Sequence, residues 1–216
     1  MLSHAVHPVK MQPSEMAVRA LDDDEQVLNY LTVTLQSHGI ACRGYLDVNS
    51  FFSDEQAVPS CVLVDWRLGA DDGMAVAERC QKVWPNTAIV LISGHATVAL
   101  AVSAMRQGLD GVLQKPISPR DLVKEVCDAC DRSKARNAEH QSQVDARALL
   151  EKLGSREFEI LKLLAAGVPN KNIASQLSLA MRTVEKYRRS LFDALGVDSA
   201  AEATRILVLA KLDHAP

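Results

Sequence analysis

Side chains that can bind or accept a phosphoryl group stand at the ends of apolar runs at four separate places in the chain. Asp65 ends one apolar run, and the acidic cluster 22–25 follows an earlier one. Ser93 and Lys115 follow two later runs. If these runs are strands of one parallel sheet, their carboxyl ends line a single crevice. The spacing therefore predicts one site that combines carboxylates, a hydroxyl and an ammonium.

The three carboxylates of Asp22, Asp23 and Asp65 would repel one another if they meet. Two like charges about 4 Å apart repel by ~4 kcal/mol at an effective dielectric constant near 20. A cation must then join them, and oxygen-only ligands favour Mg²⁺, which also bridges to phosphate. A carboxylate beside Mg²⁺, a hydroxyl and an ammonium is a sound phosphoryl acceptor. We therefore predict that Asp65 accepts a phosphoryl group, which Ser93 and Lys115 hold.

Each of these features also has a purely structural interpretation. The cluster at 22–24 could begin a helix, where the helix dipole favours acids. Asp65 could be a solvated strand end, and Ser93 with Gly94 could form a turn. A shared site explains the four strand-end positions together, whereas the separate interpretations do not.

Alternating strand and helix patterns between residue 16 and about residue 132 must position these groups. Strands are predicted near 17–22, 41–45, 60–65, 87–92 and 110–114. Helices are predicted near 25–38, 47–55, 73–84, 96–107 and 119–135. Five strand–helix units indicate parallel pairing with right-handed crossovers and helices on both faces of the sheet.

The rest of the chain reads as helical. Residues 133–150 are polar and contain neither Gly nor Pro, which predicts a helical continuation or a partly helical linker. Helices are predicted near 155–166, 170–177, 181–195 and 200–211, and the short turn 178–180 fits a helix-turn-helix. The segment 181–195 is amphipathic, with Val184, Leu191 and Leu195 expected to face the core. Its cations could contact a nucleic acid or simply form a solvated face.

Charge and composition limit the possible partners and compartments. Residues 1–132 carry 11 Lys and Arg against 17 Asp and Glu, and residues 147–216 carry 11 against 8. The basic back half is suited to a polyanion. No apolar run approaches the ~20 residues that span a bilayer. The first fifteen residues have no apolar block, so we expect a mobile leader rather than a secretory signal.

Cysteine usage points to a cytoplasmic protein. The chain has five Cys, an odd number, which is typical of reduced thiols. Cys127 and Cys130 form a C-x-x-C pair, but on a helical pattern and with no second pair. We interpret them as helix residues facing a core rather than as a metal or redox site.

Residues 17–130 resemble the receiver domain of bacterial two-component response regulators. The matching pieces are Asp22-Asp23, V-D-W-R-L around Asp65, Gly73, Ser93-Gly94-His95 and Lys115-Pro116. The resemblance implies a (βα)5 doubly wound parallel sheet of order 2-1-3-4-5 and phosphorylation of Asp65 by a sensor histidine kinase. It also implies Mg²⁺ bound by Asp22, Asp23, Asp65 and the backbone carbonyl of Arg67. Ser93 and Lys115 would contact the phosphoryl group, and Pro116 would follow a cis peptide.

Two positions depart from the receiver pattern. Gly69 stands where the family usually has Pro, which predicts a looser loop after Asp65. Val112 stands where the family usually has Tyr or Phe, an aromatic ring that swings inward when the Ser or Thr moves. The phosphorylation chemistry is untouched by Val112, but its coupling to the output is open.

Residues 153–211 resemble the LuxR-type DNA-binding domain, with matching stretches at 155–161, 166–174 and 182–188. The resemblance implies that Glu185, Lys186 and Arg189 face the major groove of double-stranded DNA. The other predicted contacts, mainly to phosphates, are Lys171, Arg182, Thr183 and Arg188. The last helix would pair two subunits. Ala180 replaces the Ser that usually caps the recognition helix, and losing such a cap costs about 1 kcal/mol.

Together the two halves look like a response regulator of the NarL/FixJ class. The predicted domains are a leader (1–15), a receiver (16–132), a helical linker (133–150) and a small four-helix DNA-binding domain (151–216). We predict a transcriptional regulator, and not an enzyme in the usual sense, that dimerises on phosphorylation. Two alternatives remain open, namely a regulator that works without phosphate and a phosphotransfer enzyme with an unrelated helical appendage.

Overall fold

The computed structural model describes residues 12–55, 57–69, 71–95 and 97–210. The chain divides between Asn137 and Ala138 into two compact units. Residues 1–11 of the predicted leader lie outside the described residues. Its last part is folded, because Pro13–Glu15 form a 3₁₀ helix in which the Glu15 carboxylate accepts a hydrogen bond from the N–H of Gln12.

A five-stranded parallel sheet lies at the centre of the first unit. Its strands are β1 (Ala17–Leu21), β2 (Ala41–Tyr45), β3 (Cys61–Asp65), β4 (Ala88–Ser93) and β5 (Gly111–Gln114). They are arranged in the order β2-β1-β3-β4-β5, and every neighbouring pair is parallel. This order confirms the predicted doubly wound sheet.

Five helices connect and follow these strands. They are α1 (Glu25–Ser37), α2 (Val48–Ser53), α3 (Gly73–Val83), α4 (Val98–Arg106) and α5 (Pro119–Leu150). The Asp47 carboxylate accepts hydrogen bonds from two backbone N–H groups and caps α2, which is shorter than predicted. Helix α5 continues without interruption for 32 residues, so residues 133–150 are a helical continuation rather than a partly helical linker.

The central strands are buried because helices cover both faces of the sheet. In β3, Cys61 and Leu63 join the core that includes α1 and α5. Their neighbours Val62 and Val64 join the opposite core, which includes α2, α3 and α4. This alternation explains the nearly continuous apolar sequence of the strand. None of the five cysteines, all of which are described, is part of a disulfide. Cys130 is buried and Cys127 packs against the same core, as the core interpretation expects.

A buried arginine in β1 organises the connection from α2 to β3. The guanidinium of Arg19 donates to the carbonyls of Phe51 and Asp54, both at 3.2 Å. It also donates to the carbonyl of Ala57 at 3.4 Å and lies 5.0 Å from the ring centroid of Trp84. The apolar neighbours of Arg19 predict a strand but do not indicate that its side chain is buried among backbone carbonyls.

The second unit is helical after the end of α5. Its helices are α6 (Ser155–Ala165), α7 (Asn170–Gln176), α8 (Met181–Leu195) and α9 (Ala200–Leu209). Val184, Leu191 and Leu195 are buried in its core, as their helical spacing predicted. Ser178 takes a φ of +54° in the turn between α7 and α8. Within the part of the chain that is described, no helix has the length and apolar character needed to cross a membrane.

Candidate functional site

The carboxyl ends of the strands bring the predicted groups to one edge of the sheet. The N–H of Trp66, directly after Asp65, donates to the carbonyl of Ile92 in β4 at 2.7 Å. The N–H of Lys115 donates to the carbonyl of Ser93 at 2.8 Å. Because these bonds extend the strand pairing past the strand ends, they hold Asp65, Ser93 and Lys115 on three neighbouring strands.

Lys115 lies between two buried carboxylates. Its Nζ is 2.7 Å from Oδ2 of Asp22 and 2.7 Å from Oδ1 of Asp65. Burial raises the pKa of the Asp22 carboxyl, and the hydrogen bonds from Lys115 and from the N–H of Asp24 offset only part of that effect. Burial opposes the charge of Lys115, but its hydrogen bonds to both carboxylates outweigh burial and raise its pKa. The ammonium therefore stays charged and links β1, β3 and β5.

The remaining oxygens of the two carboxylates accept backbone hydrogen bonds. Oδ2 of Asp65 accepts from the N–H of Arg67 at 2.8 Å. Oδ1 of Asp22 accepts from the N–H of Asp24 at 3.0 Å. Each carboxylate is thus held by one cation and one backbone donor, which fixes its orientation before any ligand arrives.

An open cavity of about 260 Å³ lies beside Asp65. It is lined by Asp65, Trp66, Arg67, Ser93, Gly94, His95 and Lys115. The Ser93 side chain is buried, and its oxygen accepts a hydrogen bond from the N–H of His95 at 3.2 Å. The cavity thus places a carboxylate, a hydroxyl and an ammonium around one space, as the sequence predicted.

The structure brings two of the three predicted carboxylates together at Lys115. Asp22 and Asp65 both contact Lys115. Asp23 is exposed, and its carboxylate lies near Gly69 in the loop after Asp65. In the described parts of the chain, no three side chains of His, Cys, Asp and Glu are arranged to hold a metal ion. The Lys115 ammonium lies between the two buried acids and offsets part of their negative charge.

The loop after Asp65 departs from the family pattern in a specific way. Gly69 has a φ of +58°, whereas proline is confined to a φ near −65°. Before and after it, Arg67–Leu68 pair antiparallel with Asp71–Asp72. The backbone at position 69 therefore excludes the proline that is usual there, and the looser loop stays a prediction.

The segment after β5 is held in place on both sides of Pro116. The peptide bond between Lys115 and Pro116 is cis, as the resemblance implied. The hydroxyl of Tyr30 in α1 donates to the carbonyl of Ile117 at 2.7 Å. Helix α1 thus helps to hold the segment from which Lys115 reaches the carboxylates.

Helix α8 presents a charged face in the second unit. Arg182, Glu185, Lys186 and Arg189 are exposed, and Lys171 is exposed on α7. Thr183 is half-buried in the first turn of α8. No side chain caps α8 at Ala180, as the sequence predicted.

Arg188 has a different place from the other predicted DNA contacts. It is half-buried, and its Nη1 donates to Oδ1 of Asn170 in α7 at 2.7 Å. Its guanidinium also lies 5.5 Å from the ring centroid of Phe192. Arg188 therefore packs α7 against α8, and its charge is partly committed to that contact.

Comparison with known families decides the identity of the two units. Residues 18–127 match the response regulator receiver domain, and residues 151–207 match the bacterial regulatory proteins of the luxR family. The chain is a response regulator of the NarL/FixJ family. It is a two-component transcriptional regulator, in which the receiver implies a histidine kinase as partner and the LuxR-type domain implies DNA.

Individual relatives of the regulator share both domains. It is 31% identical to the transcriptional regulatory protein FixJ of Azorhizobium caulinodans, over 92% of this chain and 94% of that protein. Among solved structures, the response regulator StyR gives a TM-score of 0.68 at 25% identity, covering 89% of this chain and 98% of that one. Full-length FixJ from B. japonicum gives 0.55 at 26% identity, covering 91% and 97%.

Trp66 and His95 also line the regulator's cavity, although the sequence patterns indicated no role for either residue. Trp66 is the first residue after β3 and His95 the second after β4, and this position is the signal that could have identified them. Arg67 was predicted to contribute only its backbone carbonyl to Mg²⁺ binding, but this residue also lines the cavity.

Replacing Gly73 by Ala is expected to disturb the regulator's site. A Cβ at this position would overlap the carbonyl oxygen of Asp65 and would lie 2.9 Å from Cα of Trp66. Because backbone has to shift, we expect a loss of at least about 1–3 kcal/mol in the free energy of unfolding. Urea denaturation measures this loss. Gly94→Ala is the matched control, since a Cβ there meets no atom within 4 Å. Equal midpoints for the two variants would contradict the prediction.

Proposed function

We propose that Asp65 accepts a phosphoryl group from a sensor histidine kinase and that the phosphorylated regulator dimerises to bind promoter DNA. The observation that carries the proposal is the position of the Lys115 ammonium, 2.7 Å from Asp65 and next to the Ser93 cavity. A nucleophile, a cation and a hydroxyl around one open space are the parts that phosphoryl transfer needs.

The transfer step forms one bond and breaks another. A carboxylate oxygen of Asp65 attacks the phosphorus of a phosphohistidine and forms a P–O bond. The P–N bond breaks, and the histidine nitrogen keeps its electron pair. Lys115 and the hydroxyl of Ser93 then contact oxygens of the transferred group, since both line the same cavity as Asp65. Their hydrogen bonds are worth most to the charged product.

Mg²⁺ suits the charge of this edge, and receiver domains generally bind it for phosphorylation. Asp22, Asp23, Asp65 and Lys115 carry a combined charge of −2, and a phosphoryl group adds more. The three carboxylates and the carbonyl of Arg67 are the oxygen ligands that Mg²⁺ prefers, so we propose that they hold the ion. When bound, it would neutralise charge on the phosphoryl oxygens.

An exposed apolar stripe on α4 supports dimerisation of the receiver. Val98, Val102 and Met105 are spaced at i, i+4 and i+7, so they share one helix face. Their exposed fractions are 82%, 45% and 69%. Single exposed apolar residues are common, but a contiguous row on one helix marks an interaction surface. We propose that α4 and β5 pair two phosphorylated receivers and that α9, with Val208 exposed, pairs two DNA-binding domains.

The exposed face of α8 supports DNA binding. We propose that Glu185, Lys186 and Arg189 enter the major groove, where Arg and Lys read guanine edges and Glu can accept from cytosine. The proposed phosphate contacts are Lys171, Arg182 and Thr183, with Arg188 contributing charge from its position beside Asn170. Phosphate contacts of this kind make binding depend strongly on salt.

One observation favours a second candidate, a regulator that works without phosphate. Val112 is half-buried against the core of α3 and α4, where the family usually places an aromatic ring. An aliphatic side chain of this size cannot report a movement of Ser93 by swinging into the vacated space. DNA binding by this candidate would not respond to phosphorylation.

Beryllofluoride with Mg²⁺ distinguishes the two candidates. We expect the full-length regulator to double its mass in light scattering and to bind a promoter fragment more tightly when both are present. The same additions without Mg²⁺ serve as the control. If the regulator binds DNA normally and beryllofluoride with Mg²⁺ changes neither its mass nor its affinity, the phosphorylation proposal is contradicted and the second candidate is supported.

A further inference from the structure

A buried carboxylate marks the end of the sheet opposite the phosphoryl site. Asp110 precedes β5, and its side chain is 1% exposed. Its N–H donates to the carbonyl of Ile89 at 2.8 Å, and its Oδ2 accepts from the N–H of Ile89 at 2.9 Å. These two bonds join the start of β5 to β4.

Helix α5 contacts Asp110 with two arginines, one at the carboxylate and one at the backbone carbonyl. Nη1 of Arg136 lies 2.6 Å from Oδ1 of Asp110, and Nη2 lies 3.4 Å from Oδ2. Nε of Arg132 donates to the backbone carbonyl of Asp110 at 2.8 Å. A planar guanidinium that meets both carboxylate oxygens fixes orientation as well as distance. Arg136 therefore sets the position of α5 over the start of β5.

Two further residues of α5 contact the segment before β4. The hydroxyl of Ser133 and the side-chain amide of Asn137 both donate to the carbonyl of Asn86 at 3.2 Å. Nη2 of Arg136 donates to the Ser133 hydroxyl at 3.2 Å, which connects the two sets of contacts. The four α5 residues share one helix face, since they are spaced at i, i+1, i+4 and i+5. We call this network the α5 clamp, formed by Asn86, Asp110, Arg132, Ser133, Arg136 and Asn137.

The strands that begin at the α5 clamp end at the phosphoryl site. Strand β4 leads from the neighbourhood of Asn86 to Ser93, and β5 leads from Asp110 to Lys115. Helix α5 continues past the clamp to Leu150, which is buried in the core of the DNA-binding unit. The α5 clamp thus joins the starts of the two strands that carry Ser93 and Lys115 to the helix that continues into the second unit.

We infer that the α5 clamp couples phosphoryl occupancy at Asp65 to the DNA-binding domain, by holding the linker part of α5 to the two strands that carry Ser93 and Lys115. The inference rests on the proposed function. The clamp connects Asp65 to the DNA-binding domain without requiring an aromatic side chain at position 112.

Arg136→Ala tests the coupling in the full-length regulator. Beryllofluoride binding should stay within about twofold of wild type, as measured by the change in tryptophan fluorescence in a Trp84→Phe background that leaves Trp66 next to Asp65. The ratio of DNA affinities with and without beryllofluoride should fall toward one, whereas allosteric coupling is typically about 5–150-fold. Asn137→Ala is a milder second variant for use if Arg136→Ala folds poorly, and it should lower the same ratio partially.

Lys124→Ala is the matched control, because it removes an equal charge and an exposed ion pair with Asp128 from the same helix outside the clamp. It should leave the ratio at the wild-type value. A wild-type ratio in Arg136→Ala and Asn137→Ala would overturn the clamp while leaving the proposed function intact. If the wild-type regulator itself shows no response to beryllofluoride, the proposed function fails and the clamp fails with it.

Discussion

Asp65→Asn is expected to abolish phosphoryl uptake. The amide cannot attack phosphorus as a carboxylate does, so uptake should fall by at least about 10³-fold. The side chain keeps nearly the same shape, and the buried site retains Asp22 as a partner for Lys115 at 2.7 Å. Intact-protein mass spectrometry after incubation with acetyl phosphate and Mg²⁺ measures the uptake directly.

Asp71→Asn is the matched control for this variant. Asp71 is an exposed acid in the loop that follows Asp65. It does not line the cavity and is not an ion-pair partner of Lys115. Its substitution removes the same charge and should leave uptake near the wild-type value. Wild-type uptake by Asp65→Asn would show that the phosphoryl group is accepted elsewhere and would remove the basis of the proposed function.

Replacing Lys186 and Arg189 together by Ala is expected to weaken specific DNA binding most strongly among changes in the second unit. Both side chains are exposed on α8, so their removal costs little folding energy. Each direct base contact is worth about 1–3 kcal/mol, and two together would lower the affinity by roughly 30-fold to 10⁴-fold if they add. Titration of a labelled promoter fragment at fixed salt measures this loss.

Lys152→Ala with Arg156→Ala provides a charge-matched control in the same domain. Both side chains are exposed near the start of α6, away from α8 in sequence, and Arg156 pairs only weakly with Glu159 on the surface. This control should lose much less affinity and keep its sequence preference. Equal losses for the two double variants would mean that α8 contributes only general positive charge.

The two domains respond separately in these experiments. Asp65→Asn should bind DNA as the unphosphorylated regulator does, since its change is confined to the receiver. The α8 variant should take up phosphoryl groups normally, since its change is confined to the second unit. The luxR-family match of residues 151–207 contradicts the alternative of a phosphotransfer enzyme with an unrelated helical appendage.

The sequence by itself determined the elements and the edge where the chemistry lies. Strand and helix periods depend on neighbours close in the chain, so β3, β4 and α8 lie near their predicted ranges. Asp65, Ser93 and Lys115 follow from the rule that parallel strands end at one edge. The core positions of α8 follow from its helical spacing in the same way.

Only the tertiary structure decided which charged groups pair. Lys115 reaches Asp22 across 93 residues of sequence, Arg19 is buried among backbone carbonyls, and Arg188 contacts Asn170. The α5 clamp likewise joins Asp110 to Arg136, which lies near the middle of a long helix. Such pairings depend on strand register, side-chain rotamers and competition for a few buried partners. Local periodicity contains none of this information, because a charge finds its partner through space rather than along the chain.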